Sequence, residues 1–328
     1  MKKIIVLIVL VCIFFTGCGK YDQNDIINTL DKNISEKSYN LEGDLEIVNN
    51  DEVYNYDIKV SYKKPDSYKV NLLNKSNNHE QIILKNNEGI FVATPALNKS
   101  FKFQSDWPYN NSQIYLLQSL INDIKADEKK EFKEIEKGYI FRTNVNYPNN
   151  RKLVKQDITL DKNLKFKKVV VKDENNTPLM TMKFNNVDYS PTFKKNYFDL
   201  DTVMDKNKIS EKETMKLEDS IYPLVLPSGT KLSNEEKVSK AGGERVILTF
   251  EGEKPFLLVE ETANVFEEFT IVPTNGEPFI LQDSIGVLGE NSLNWTSAGI
   301  EYYMVSDVLN QNEMIEIASS ISSLPTMK

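Results

Sequence analysis

Two cysteines, one histidine and a few adjacent acids are the side chains of this 328-residue chain with reactive chemistry to offer. His79 lies in Asn77-Asn78-His79-Glu80-Gln81, where a solvated turn residue is expected rather than a ligand. A single histidine cannot build a His-rich zinc site, and no Ser-His-Asp or Cys-His arrangement is suggested around Cys18. Glu260-Glu261 and Glu267-Glu268 are adjacent acids. Paired carboxylates cleave glycosides only when held roughly 5–10 Å apart in one site, and neighbours along a strand face opposite ways. Ala241-Gly242-Gly243-Glu244-Arg245 lacks the Gly-x-x-x-x-Gly-Lys-Ser/Thr spacing of a phosphate loop and precedes a strand, so it is read as a hairpin turn. Asp161-Lys162-Asn163 has too few oxygen ligands for a calcium loop. No catalytic residue, metal site or cofactor is expected, and Cys18 is left as the residue with a chemical role.

That role follows from what precedes it. Lys2 and Lys3 lead into the continuous apolar run Ile4 to Phe15, which is shorter than the about 20 residues a membrane span needs. This is the form of an export signal, with small residues before the cleavage point. Phe15-Thr16-Gly17-Cys18 resembles the bacterial lipobox, although leucine or another aliphatic residue usually stands where Phe15 does. The resemblance implies that residues 1–17 are a lipoprotein signal peptide. Cys18 would become the first residue and carry a diacylglyceryl group and palmitate-type acylation. Two acyl chains anchor a protein stably, where one does so only marginally. The protein is therefore expected on the outer face of the cell membrane or a spore membrane.

Removing the signal leaves enough chain for two domains and a sizeable core. The formal charge of −8 becomes two units more negative without Lys2 and Lys3, which excludes a basic nucleic-acid footprint and gives no attraction to anionic headgroups. With Cys12 lost and Cys18 lipidated, no disulfide is available and packing must supply stability.

The hydrophobic pattern describes the body. Ile26, Ile27, Leu30 and Ile34 recur at helical spacing. The period then drops to two. Leu45, Ile47, Ile58, Val60, Val70 and Leu72 line strand faces, separated by polar turns. Strands follow at 81–85 and 89–94. Trp107-Pro108-Tyr109 interrupts the meander, and Ser112 is expected to cap a helix bearing Ile114, Leu117, Ile121 and Ile124. Trp107 and Tyr109 either form an aromatic contact surface for a partner or seal one end of the sheet. The charged segment 125–137 reads as a helix end and loop, and strands resume at 138–145, 154–161, 165–172 and 178–187. A charged, apolar-poor stretch sets a linker at 204–221, dividing a domain at 18–203 from one at 222–328. In the second, strands are expected at 245–251, 256–261, 279–281, 285–288 and 299–305. A final helix begins with the capping box Asn310…Glu313.

Several segments together carry a resemblance. They are Tyr62-Lys63-Lys64-Pro65-Asp66-Ser67-Tyr68-Lys69-Val70, Asn87-Glu88-Gly89-Ile90-Phe91-Val92, Thr94 to Ser100 and Phe184-Asn185-Asn186-Val187. Through them residues 21–203 resemble the superfamily of the LolA and LolB lipoprotein carriers and the RseB-type regulators. The nearest likeness is to clostridial GerS-type germination lipoproteins, in a longer form. Gly242 to Arg245, Asn291 to Trp295 and Gly299 to Tyr303 resemble the added C-terminal module. The resemblance implies an α+β fold: a strongly curved antiparallel sheet, or half-open barrel, with covering helices, plus a smaller C-terminal α+β domain. It also implies a non-catalytic, membrane-anchored accessory protein. Such a protein would bind a partner in the envelope or spore, a cortex amidase by analogy, in cortex modification and germination. The alternative is a carrier or sensor of a hydrophobic ligand, a lipid or lipoprotein acyl chain, held between Leu45, Ile47, Ile58, Val60, Val70 and Leu72.

Overall fold

The computed structural model describes residues 21–49, 52–109, 112–148, 150–206, 217, 219–240, 243–281 and 283–321. The signal peptide, Cys18 and most of the expected linker lie outside the described residues.

Helix α1 (Gln23–Glu36) opens on a capping box, with the Asp22 carboxylate accepting Asp25 N–H and the Asp25 side chain accepting Asp22 N–H. It buries the stripe Ile26, Leu30 and Ile34. Six strands follow in an antiparallel meander: β1 (Tyr39–Asn49), β2 (Glu52–Lys63), β3 (Ser67–Asn74), β4 (Glu80–Asn86), β5 (Gly89–Thr94) and β6 (Lys99–Gln104). After helix α2 (Leu117–Ala126), a second meander runs through β7 (Glu131–Ile135), β8 (Gly138–Asn144), β9 (Lys155–Asp161), β10 (Phe166–Lys172) and β11 (Pro178–Asp188). β11 returns to pair with β1, so the two meanders form one sheet. Inward residues of both, with the buried faces of α1 and α2, make a single core that includes Leu41, Leu45, Val60, Ile121, Ile158 and Met182. This is the curved, helix-covered sheet expected from the sequence.

Three elements of this part differ from that expectation. Lys99–Gln104 form β6, where the sequence reading has no strand. Residues 131–135 form strand β7 rather than loop: Phe132 turns inward against Phe141 and Tyr139, while its charged neighbours face solvent. Charges on an edge strand discourage pairing with other chains. Ser112 does not cap α2, which begins five residues later. Its hydroxyl instead donates to Asp123 and accepts the Asn146 N–H, fastening the loop before α2 to the β8–β9 connection.

The chain then crosses to the other side of the large sheet. Phe198, Leu200, Val203 and Met204, in and before α3 (Leu200–Lys206), cover Ile82, Leu84, Phe91 and Ala93. β4 and β5 are therefore buried on both faces, which is why they read as nearly continuous apolar runs.

The remaining chain forms β12 (Thr230–Lys240), β13 (Gly243–Gly252), β14 (Phe256–Thr262), β15 (Thr270–Asn275), β16 (Glu277–Leu281), β17 (Ser284–Leu288), β18 (Ser292–Ser297), β19 (Ile300–Val305) and α4 (Gln311–Ala318). Seven of these strands make a second sheet in the order β12-β13-β14-β19-β18-β17-β16, packed on α4. β15 departs: it lies parallel to β6 and becomes the twelfth strand of the large sheet. A segment beyond the linker thus completes the edge of the sheet that precedes it.

Candidate functional site

The concave face carries an aromatic ladder, Tyr39, Tyr62, Tyr68 and Trp107, with successive ring centroids 5.3, 4.8 and 5.8 Å apart. Alternation puts the three tyrosines on the inner face of neighbouring strands, and the turn after β6 delivers Trp107 edge-on to the last of them. Trp107 is buried, whereas Tyr109, two residues on, is 56% exposed. Its hydroxyl donates to Asp66, and Lys85 lies over its ring and pairs with the same carboxylate at 3.0 Å. The two aromatics singled out from sequence are therefore divided, Trp107 to packing and Tyr109 to the surface.

Of the six residues read as cavity-facing, Leu45, Ile58, Val60, Val70 and Leu72 are buried in the large core beneath the helices. Ile47, near the end of β1, borders open space. It lines a cleft of about 160 Å³ between the two sheets. Met180 and Leu179 of β11 and Leu153 of the β8–β9 loop form one wall; Phe279 and Ile280 of β16 and Ile315 of α4 form the other. Asn49, Gln113, Asn150 and Lys152 contribute polar groups, and the Tyr147 hydroxyl is buried without a well-formed hydrogen bond. Sequence reading missed this cleft, because one of its walls comes from β16 and α4, far along the chain from β1 and β11. A second, polar recess of about 190 Å³ lies beside α2, lined by Tyr109, Ser112, Asn122, Asp123 and Asn146. Burial pushes the Asp123 carboxyl up to about 6, against hydrogen bonds donated by Ser112 and Gln156.

The two sheets meet through specific contacts. The Gln81 side chain mimics a strand: its Nε2 donates to the Ile285 carbonyl at 3.2 Å and its Oε1 accepts the Ile285 N–H. Lys99 forms a largely buried ion pair with Glu301. Asn98 Nδ2 donates to the Phe266 carbonyl at 3.0 Å, and Ile285 and Val287 enter the large core.

Glu260 and Glu261 divide as strand alternation requires, whereas Glu267 and Glu268 lie between β14 and β15 and are both exposed. Glu260 is fully buried and accepts the Ile221 N–H at 2.9 Å, and burial raises its carboxyl to about 7. Glu261 faces outward and pairs with Arg245 at 2.7 Å. Asp161 accepts the N–H groups of Asn163 and Lys165, as a turn residue does. The His79 N–H donates to Asn77 in the β3–β4 turn. Gly243, at the start of β13, has φ +144°, and an added Cβ would stand 3.2 Å from Thr262 Oγ1, so the turn favours glycine there. Among the described residues no three of His, Cys, Asp and Glu converge as metal ligands, and no helix is long and apolar enough to cross a membrane.

No family model matches the chain. Among solved structures it is similar to the MucA/MucB complex of Pseudomonas aeruginosa, at 12% identity and a TM-score of 0.33, covering 92% of this chain and 99% of that one. It is also similar to the structure of the CwlD amidase from Clostridioides difficile in complex with the GerS lipoprotein, at 20% identity and a TM-score of 0.32. That match covers 52% of this chain and 98% of the other. Among curated proteins it is 37% identical over 317 residues to the sporulation protein YdcC of Bacillus subtilis, covering 95% of this chain and 94% of its relative. An identity of that level sustained through both sheets means that the chain belongs to the family of sporulation protein YdcC.

Proposed function

We propose that this protein is a lipid-anchored, non-catalytic accessory protein of sporulation that acts at the cell envelope by binding a protein partner. The observation that carries the sporulation reading is the identity with YdcC over nearly the whole of both chains. Anchoring is supported by Phe15-Thr16-Gly17-Cys18 behind an apolar run too short to span a bilayer. A binding rather than a catalytic role is supported by the environment of the acids. Glu260 holds the backbone of Ile221, Asp123 holds Ser112 and Gln156, and Asp283 accepts the Ser297 hydroxyl. A carrier of hydrophobic ligands would need space among Leu45, Ile58, Val60, Val70 and Leu72, where side chains are packed. A step in cortex modification and germination is the finer form of the reading and rests on the sequence resemblance to GerS-type lipoproteins.

Two measurements test the proposal. Deleting the gene is expected to lower the yield of heat-resistant spores, or to leave spores that fail to complete germination. Normal sporulation and germination would overturn it. Cys18→Ala is expected to move the protein from the membrane fraction to the soluble fraction; persistence in the membrane fraction would remove the lipid anchor from the account.

A further inference from the structure

The proposed function leaves the docking site for the partner open, and the cleft between the two sheets has the attributes of one. Its open volume of about 160 Å³ is close to the ~150 Å³ that one benzene-sized group occupies in an apolar protein cavity. That is too small for a drug-sized ligand, whose pockets run to roughly 300–1,000 Å³, and it suits one large side chain. Its walls are apolar and come from separate elements, Ile47 and Met180 facing Phe279, Ile280 and Ile315. Anchors of this kind, set into a well-packed pocket, account for most of the binding energy at protein interfaces.

The rim adds charge. Arg151 and Lys152 of the β8–β9 loop are adjacent and exposed beside Leu153 of the wall, and among the described residues lining the cleft Lys152 is the charged one. Among the described residues neither takes part in an ion pair, in a chain whose net charge is −8. Two unpaired cations beside an apolar slot favour an acidic neighbour to the inserted group. The nearby amides of Asn49, Gln113 and Asn150 suit a peptide backbone crossing the mouth.

We propose that the cleft between the sheets is the docking site of the protein partner, receiving one phenylalanine-, tryptophan- or leucine-type side chain from a partner segment whose flanking residues are acidic. The inference rests on the partner-binding reading and deepens it. Because one wall belongs to each sheet, an inserted side chain also ties the two sheets together.

The test uses the full-length protein in sporulating cells, with the photoreactive residue p-benzoylphenylalanine placed at Leu179 or, separately, at Phe279. Control positions are Tyr109, Lys133 on β7 and Ser233 on β12. The expected result is a protein adduct from the two cleft positions and none from the controls. Mass mapping should place it on a segment with an aromatic or leucine residue flanked by Asp or Glu. Ile280→Trp, which fills the cleft, should lower adduct yield ten-fold or more with the thermal midpoint unchanged. Arg151→Glu with Lys152→Glu should lower the yield at least five-fold. Protein adducts at the control positions alone would overturn the docking site and leave partner binding standing. No protein adduct at any position would overturn both. A lipid adduct alone at Leu179, pointing to an amphiphile, or an adduct between two copies of this chain would overturn the proposed occupant.

Discussion

Glu260 shows how much a single side chain can reveal once its surroundings are known. It is fully buried on β14, one oxygen accepts the Ile221 N–H, and the other has no hydrogen-bond partner among the described residues. Burial raises its carboxyl from 4.5 to about 7, with Glu235 of β12 adding a smaller push in the same direction. The folded protein therefore holds a proton that the unfolded chain releases between about pH 4.5 and 7. Stability is greatest below that window and falls as pH rises through it. A shift of this size corresponds to about 3 kcal/mol by pH 8. Asp123 and Asp283, both pushed up to about 6 by burial, act in the same sense. Glu260→Gln keeps an oxygen for Ile221 and removes the charge, so its thermal midpoint should exceed that of the parent at pH 8 and match it near pH 5. Midpoints measured from pH 4.5 to 8.5 decide this: an unchanged slope would mean that Glu260 does not titrate in the window. The sequence showed that Glu260 and Glu261 face opposite ways, since that follows from the pleat. Which of the two is buried depends on α4 and the 217–221 segment, which no local pattern specifies.

At the scale of elements, legibility follows burial on one face. β1, β2, β3 and β9 have an inward row of apolar residues and a polar outer row, so a period of two reveals them. β12 is exposed at every position from 231 to 239 and carries mostly polar residues, so its ladder with β13 leaves no hydrophobic signature. β15 is equally silent: it contains Pro273 and exposes alternate residues at the edge of the large sheet. Gln81 belongs to the same class. The sequence places it at the start of a strand with nothing to mark it out, yet it completes the hydrogen bonding of Ile285, 204 residues away. Gln81→Ala would leave a buried N–H and a buried carbonyl unpaired, at a cost of roughly 2–4 kcal/mol. A protonated Glu at that position can accept from the Ile285 N–H and donate to its carbonyl, whereas an ionised one cannot donate, so Gln81→Glu should lose stability as pH rises. At a pH low enough to keep the Glu protonated, amide hydrogen exchange at 284–288 should accelerate in the order parent, Glu, Ala. Equal exchange in all three would show that this contact does not hold the second sheet.

For the whole molecule, the question is whether the chain unfolds as two units or one. The sequence argues for two, with a charged linker separating two sets of strands, and the structure does contain two sheets, each with its own helix cover. The connections between them favour one. β15 lies along the whole of β6, Ile285 and Val287 are buried in the large core, and Lys99 is paired with Glu301 across the boundary. An isolated N-terminal fragment would lose its twelfth strand, expose the β6 edge and leave Lys99 and Gln81 without the partners that justify their burial. Loss of Ile285 and Val287 also uncovers apolar surface of the large core, at roughly 1.5–3 kcal/mol per side chain, a large fraction of the stability of a marginal domain. A fragment ending at residue 221 should therefore be substantially less stable than the large sheet is in the full chain, and prone to associate through the exposed edge. Calorimetry of residues 21–321 should give one transition whose van't Hoff and calorimetric enthalpies agree. Lys99→Met should shift that transition as a whole. Two separated transitions, with only the lower one moved by Lys99→Met, would mean that the sheets are independent and that the cleft between them opens without unfolding either.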